Sequence, residues 1–173
     1  MRVGIGYDSH RFDPARPLIL GGVTIPDHPG LSGHSDGDAV LHAIIDACLG
    51  AAGLSGIGDL FPDDDPRYEG ADSLELLEAA VGEVHRAGYD VGNVDVTVIA
   101  ESPRLSPYVK EMAIRTAPRC GVTAADVSVK GKSNERMGWI GRGEGLAAMA
   151  VVTLVDRDEA SSSGPAAGSP SPS

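Results

Sequence analysis

Three side chains of this chain could converge on one divalent cation. Asp8 and His10 stand two apart where an apolar run, Val3–Tyr7, ends, and that run reads as a strand. Alternate side chains on a strand point to the same face, so a carboxylate and an imidazole would aim at one point. His42 lies within the segment His34–Asp46, just after a helical pattern begins, and a rigid element could deliver a second imidazole there. One carboxylate and two imidazoles, with a fourth position open, form the kind of ligand set a catalytic zinc ion uses. The same residues also fit a capped loop aspartate beside a half-buried histidine.

Four other segments carry complementary chemistry. His34-Ser35 stands at an expected helix start, where backbone N–H groups, a hydroxyl and an imidazole would suit a phosphate oxygen. Plain N-capping by Ser35 is compatible with that role. Gly56, Ile57 and Gly58 lead through Phe61 and Pro62 into the consecutive carboxylates Asp63, Asp64 and Asp65. This reads as a lid whose amides and carboxylates could bind hydroxyls, although Asp-Pro turn chemistry explains much of the run. Ala100–Ser106 joins a strand to a helix; its amides could read the edge of a base and Arg104 could meet phosphate, or it is an ordinary connection. Lys130–Gly145 combines Lys132, Ser133, Asn134, Glu135, Trp139, Arg142 and Glu144 with five glycines. Lys132 and Arg142 could offset phosphate charge, and Glu135 could hold a hard cation such as Mg2+ or Mn2+. The Gly-x-x-x-x-Gly-Lys-Ser order of a Walker loop is missing, and a Gly-rich hairpin with a solvated face remains the plainer reading.

These residues need elements to hold them. Met1–Tyr7 is expected as a strand and Pro17–Pro26 as a hairpin turning at Gly21-Gly22. Ser35 or Asp36 would cap a helix reaching about Ala52, with Ser35 and Asp38 resembling a capping box. On that helix Asp38, His42 and Asp46 share a face, and Asp46 is the favoured carboxylate to receive the spare N–H of His42. A second helix is expected over Asp72–Ala87, a strand over Val94–Glu101, and a helix over Ser106–Arg119 interrupted near Pro118. Strands at Val127–Lys132 and Gly145–Val155 complete an α/β (α+β) fold, with four or five main strands and helices on one face. The uncovered face calls for burial by something else, and self-association is the simplest candidate.

The 173 residues suffice for one domain, and 42% of them are apolar while only 4% are aromatic. A formal net charge of −11 disfavours nucleic acid and anionic membrane as partners, and obliges any phosphorylated substrate to find local cations. Cys48 and Cys120 lack zinc-like spacing and read as buried thiols of a cytoplasmic protein. No apolar run reaches membrane-spanning length and the N-terminus shows no signal-peptide pattern. From about Asp156 the chain turns to Ser, Pro, Gly and Ala, which reads as a disordered tail.

Taken in order, Gly6-Tyr-Asp8-Ser-His10-Arg-Phe, His34-Ser-Asp-Gly-Asp-Ala-Val-Leu-His42, Leu60-Phe-Pro-Asp-Asp-Asp65, Gly92-Asn-Val-Asp-Val-Thr and Gly141-Arg-Gly-Glu-Gly145 closely resemble the 2-C-methyl-D-erythritol 2,4-cyclodiphosphate synthase family of the non-mevalonate isoprenoid pathway. The likeness covers residues 1–155 and has the look of a stand-alone enzyme rather than of a fusion with a cytidylyltransferase. It implies a homotrimer with sheets facing the three-fold axis and an active site at each subunit boundary. Asp8, His10 and His42 fall on zinc ligands, and Glu135 on the residue linked to a second ion, Mg2+ or Mn2+. His34 and Ser133 fall on catalytic positions that orient or stabilise the reacting phosphates. Ala100, Glu101, Ser102, Pro103, Arg104, Leu105 and Ser106 match a cytidine pocket contributed by a neighbouring subunit. Phe61 to Asp65 match the loop over the methylerythritol, and Ser9, Ser35, Lys132, Asn134, Trp139 and Arg142 join the implied substrate contacts. Arg142 and Glu144 would lie near an axial cavity where relatives can hold isoprenoid diphosphates. Gly56 stands where many relatives carry an aspartate, so it offers only backbone; Ser133, Arg104, Lys132 and Trp139 replace commoner threonine, lysine, threonine and phenylalanine. The implied reaction is cyclisation of 4-diphosphocytidyl-2-C-methyl-D-erythritol 2-phosphate with loss of CMP. A metal-dependent phosphohydrolase and a trimeric isoprenoid-diphosphate binder are the rival readings.

Overall fold

Five strands, β1 (Arg2–Leu20), β2 (Val23–Leu31), β3 (Tyr89–Ile99), β4 (Val127–Lys132) and β5 (Gly145–Asp156), form one sheet in the order β2-β1-β5-β3-β4. Only β3 and β4 run parallel; the other neighbours are antiparallel. Helices α1 (Ala39–Ala52), α2 (Ile57–Leu60), α3 (Ser73–Arg86), α4 (Val109–Cys120) and α5 (Gly138–Gly141) complete the α+β domain. The computed structural model describes residues 1–62 and 64–157; Asp63 and all but the first two residues of the tail expected from Asp156 lie outside the described residues.

The strand that carries Asp8 and His10 does not end at Tyr7. Ladder partners on β5 continue past it, setting Asp8 against Ala148 and His10 against Leu146. From Phe12 onward the same strand also pairs with β2, with register shifts on either side of Pro17. The expected short strand and the first arm of the hairpin are therefore one 19-residue element. Its backbone groups stay paired through the polar residues, which is why polarity does not break it. The turn at Gly21 and Gly22 stands as expected, with both residues at positive φ (58° and 73°), the requirement of a tight hairpin.

Even-numbered residues of β1 face the helices. A Cβ on Gly4 or Gly6 would collide with backbone of α1: at Gly6 it would overlap the Ala43 carbonyl oxygen and sit 2.7 Å from the Ala47 amide nitrogen. The two glycines let α1 lie directly on the strand, and this close approach brings His42 onto Asp8 and His10. Leu41, Ile44, Ile45 and Leu49 of α1 join Leu77 and Val84 of α3 and Val94, Val96 and Val98 of β3 in one buried core. Cys48 and Cys120 are buried free thiols, and burial pushes the Cys120 thiol up to about 12.

Helix α1 begins later than expected. Its cap is neither Ser35 nor Asp36 but Asp38, whose carboxylate accepts from the Val40 and Leu41 amides at 3.1 Å each. Asp38 also accepts from Gly21 and Gly22 at 2.9 and 2.7 Å, so one buried side chain ties the hairpin turn to the helix start. Burial raises its carboxyl to about 6, with the charge of Asp36 adding and these amides opposing. Helix α4 passes through Pro118 without interruption, because the proline sits in the last turn and Gly121 closes it in the left-handed conformation.

Odd-numbered residues over Val3–Tyr7 of β1 and Met149–Thr153 of β5 lie on the sheet face opposite α1. Val3, Ile5 and Tyr7 oppose Thr153, Val151 and Met149, and this apolar patch stays open: Ile5 is 66% and Val3 64% exposed.

Candidate active site

β1 and α1 bring the three expected ligands together. Asp8 Oδ2 lies 2.8 Å from His10 Nε2 and 3.2 Å from His42 Nδ1, and the two imidazole nitrogens are 3.4 Å apart. Two ligands of a tetrahedral ion with bonds of ~2.0–2.1 Å sit roughly 3.3 Å apart, so the triangle is already of the right size for one small cation. All three side chains are partly buried, with the donor atoms turned to a common point. The set fits a divalent metal ion. Burial alone would raise the Asp8 carboxyl, yet hydrogen bonds and charge from His10 and His42 win and hold it well below the usual carboxylate range. Burial opposes charge on His42 too, but Asp8, with help from Asp38 and Asp36, moves its pKa upward.

Neither aspartate of the α1 stripe receives a hydrogen bond from His42. Asp38 is used in capping, and Asp46 Oδ1 accepts from the Ile57 amide at 2.8 Å, anchoring the start of α2. The second nitrogen of His42 instead faces two hydroxyls, Ser35 Oγ and Ser73 Oγ, each at 3.0 Å. α1 starts at Ala39 with Asp38 holding the Val40 and Leu41 amides, so the His34-Ser35 backbone is not the expected helix N-terminus.

A cavity of about 210 Å3 opens above the triangle, and His34, Ser35, Ile57, Gly58 and Phe61 line it. His34 Nε2 lies 3.3 Å from the Asp65 carbonyl oxygen. Gly56 caps α2 from outside that lining, and a Cβ there would lie 3.2 Å from Asp46 Oδ1. Pro62 is half-buried and Asp64 exposed beyond Phe61. Asp65 turns away to cap the single turn Pro66–Tyr68 and pair with Arg67, which lowers its carboxyl to about 2.

A second, larger cavity of about 540 Å3 lies at the ends of β3 and β4, lined by Ala100, Glu101, Pro103, Arg104, Leu105 and Ser106 on one side and Lys132 and Ser133 on the other. Ser102 precedes Pro103 through a cis peptide bond. Ser133 Oγ donates to Glu135 Oε1 at 2.6 Å, and Glu101 Oε1 accepts from the Asn134 and Arg136 amides at 2.9 Å each. Glu135 and Arg136 both take positive φ (51° and 61°), so this carboxylate braces a strained turn. The two cavities share no lining residue. His34 and Ser133, both expected at the reacting phosphates, thus sit in different cavities of one chain.

A family model, the YgbB family, matches residues 1–155. The chain belongs to the YgbB family. Among its members, a 2-C-methyl-D-erythritol 2,4-cyclodiphosphate synthase of Gemmatimonas aurantiaca is 54% identical over 155 residues, covering 90% of this chain and 93% of that protein. The bifunctional IspDF of Campylobacter jejuni superimposes with a TM-score of 0.86 at 40% identity, over 91% of this chain and 43% of that one. A Plasmodium falciparum IspF solved as a CDP complex gives a TM-score of 0.78 at 35% identity, over 90% and 96% of the two chains.

Within this YgbB-family fold, reading the sequence missed Ser73 and Asp36. Ser73 is fully buried at the first position of α3, and its hydroxyl is 2.5 Å from Asp36 Oδ1. A serine beside the capping Asp72 looks like ordinary helix-start chemistry, so no local signal points at His42, 31 residues away. Trp139 and Ser9 appear together in a third cavity, of about 370 Å3, with His10, Arg11 and Glu144. Arg142 Nε donates to Glu144 at 2.7 Å beside it.

Proposed function

We propose that this chain converts 4-diphosphocytidyl-2-C-methyl-D-erythritol 2-phosphate into 2-C-methyl-D-erythritol 2,4-cyclodiphosphate and CMP, as a phosphorus–oxygen lyase of isoprenoid precursor synthesis. The convergence of Asp8, His10 and His42 on one point, in a chain about half identical to named synthases, carries the reading. The 2-phosphate oxygen attacks the β-phosphorus, a P–O bond forms there, and the bond from the β-phosphorus to the bridging oxygen breaks, so that CMP leaves with that oxygen. Nucleophile and electrophile share one molecule, so the protein needs no covalent nucleophile and works by positioning and charge stabilisation. Holding the substrate in the bent pose can supply on the order of 7–11 kcal/mol.

Asp8, His10 and His42 would hold Zn2+, which when bound acts as a Lewis acid toward the β-phosphate. Glu135 would hold Mg2+ or Mn2+, which offsets charge on the diphosphate. His34 and Ser133 orient the phosphates, Ser133 as a hydroxyl donor toward developing negative charge. Ala100–Ser106 takes the cytidine, Arg104 and Lys132 face phosphate, and Ile57, Gly58 and the Phe61–Asp65 loop take the methylerythritol. Ser9, Ser35, Asn134, Trp139 and Arg142 complete the contacts.

Two observations support a homotrimer whose sheets face the axis. The open β1–β5 face is apolar, and the two substrate cavities are separate within one chain. Joining the metal cavity of one subunit to the cytidine cavity of the next makes one complete site. The cavity lined by Trp139 and Glu144 would then lie toward the axis and accept an isoprenoid diphosphate. Residues 1–155 form the synthase domain, working in the cytoplasm; among the described residues no helix is long and apolar enough to cross a membrane.

Incubation with the cytidine substrate, with and without chelator, followed by phosphorus NMR tests the reading. A cyclic diphosphate and chelator-sensitive CMP are expected. A linear bisphosphate would indicate a phosphohydrolase, and no CMP at all a binding protein.

A further inference from the structure

The reading of Asp8, His10 and His42 as a metal centre leaves open what selects the nitrogen that His42 presents. We infer that Asp36 and Ser73 are positioning residues that lock His42 in the tautomer with hydrogen on Nε2, leaving the Nδ1 lone pair for the metal. The Asp36 carboxylate accepts the Asp38 amide at Oδ1 (3.1 Å), the Ser73 amide at Oδ2 (3.0 Å) and the Ser73 hydroxyl at Oδ1 (2.5 Å). A carboxylate only accepts, and a serine has one proton, so the Ser73 proton is committed to Asp36. Ser73 Oγ can then only accept from His42 Nε2, 3.0 Å away, and Nε2 must carry the hydrogen. Ser35 Oγ, which accepts the Gly37 amide at 3.3 Å, lies 3.0 Å from the same nitrogen and can share that hydrogen.

The relay is built on firm supports. Ser73 and Ser35 are buried, and Ser73 is fixed by the first turn of α3. The loop bearing Asp36 is pinned beside it, with the Asp36 amide donating to Ala71 O at 3.1 Å and the Gly70 amide to His34 O at 2.8 Å. A ring flip of His42 would turn a carbon toward Ser73 and abandon both hydroxyls. Asp36 therefore orients a ligand it does not touch, through the hydroxyl of Ser73.

The test measures zinc affinity of the purified full-length protein by competition with a chromophoric chelator, alongside melting of the metal-free form. Ser73→Ala should weaken zinc binding by about 10–100-fold, the usual scale for loss of such a partner. Asp36→Asn, which lets the amide compete as a donor to Ser73, should weaken it in the same direction and serves if the first variant does not fold. Nitrogen NMR of the zinc-loaded protein should show a hydrogen-bearing Nε2 and a metal-bound Nδ1 on His42. Zinc affinity unchanged within twofold in both variants, even with lowered melting, overturns the inference and leaves the metal centre standing. A zinc-bound Nε2 on His42 overturns it as well. If the unaltered protein binds no zinc, the metal-centre reading falls and takes the inference with it.

Discussion

The two cavities of this chain are built in opposite ways. Asp8, His10 and His42 themselves stand on a regular strand and helix, and the spare nitrogen of His42 is met by two buried hydroxyls. Around Ser133 and Glu135, the backbone leaves β4 into a turn with consecutive left-handed residues, held by Glu101 and otherwise exposed. A cation site needs ligands fixed to within about 0.5 Å, which paired elements supply. The contrast predicts that substitutions at the first cavity act on metal binding and at the second on turnover.

The largest effect should separate the two at once. His42→Ala removes a ligand from the triangle and should abolish both zinc binding and CMP release, read by metal analysis and product assay. Full CMP release from that metal-free variant would sink the assignment. Ser133→Ala, in the other cavity, should keep its zinc and raise the barrier by about 2–4 kcal/mol, the scale for losing one donor to a developing anion. A variant that instead lost zinc would erase the distinction between the cavities.

Next in size is the support beneath the first cavity. Gly6→Ala forces a methyl into the α1 backbone, which cannot yield as a flexible side chain could. It should cost about 1–3 kcal/mol in chemical denaturation and weaken zinc binding in parallel, because His42 moves with the helix. Glu101→Ala should have a smaller effect, about 1 kcal/mol, since water can reach the two amides it releases. Its signature should be a higher Mg2+ requirement for turnover with zinc affinity unchanged, and Glu101→Gln should recover most of it by keeping an acceptor oxygen.

How much of this was legible in the sequence follows the same division. The spacing of Asp8 and His10 predicted their shared face correctly even though β1 runs on to Leu20, because alternation holds wherever a strand continues. Core periodicity placed α1 and α3 within a few residues. The cap of α1 was misassigned because Ser35, Asp36 and Asp38 are all good caps, and the choice was settled by Gly21 and Gly22 arriving from another element. His42's partners were illegible for a similar reason: Asp46 looked right on a helical wheel, but the start of α2 claims it. Helix periodicity reports neighbours on one surface and says nothing about donors brought by a distant turn. At the cavity of β3 and β4 the residue types of Ala100–Ser106 and Lys130–Gly145 suggested phosphate and cation chemistry, but their joining in one site was not legible, since the frame is loop and its Glu101 brace spans 33 residues.

The smallest predicted effect is a pH dependence, and its sign follows from Asp8 and His42. Asp8 has a lowered pKa, so its contribution to the metal-free fold is present above the ordinary value of 3.8 and is lost as pH falls through the lower folded value. His42 has a raised pKa, so its contribution is complete below 6.5 and fades as pH rises through the higher folded value. Between these limits the Asp8–His42 pair contributes to the metal-free fold. Zinc, however, requires neutral His42, and its binding must expel the proton that the pair retains. The increase in melting temperature on adding zinc should therefore grow from pH 5.5 to 8, roughly one proton being released per ion bound where His42 is charged. Ser133→Ala should leave this pH profile unchanged, because its hydroxyl belongs to the other cavity. A zinc-induced shift that shrank over this range would mean that His42 is not among the groups that give up a proton to the metal.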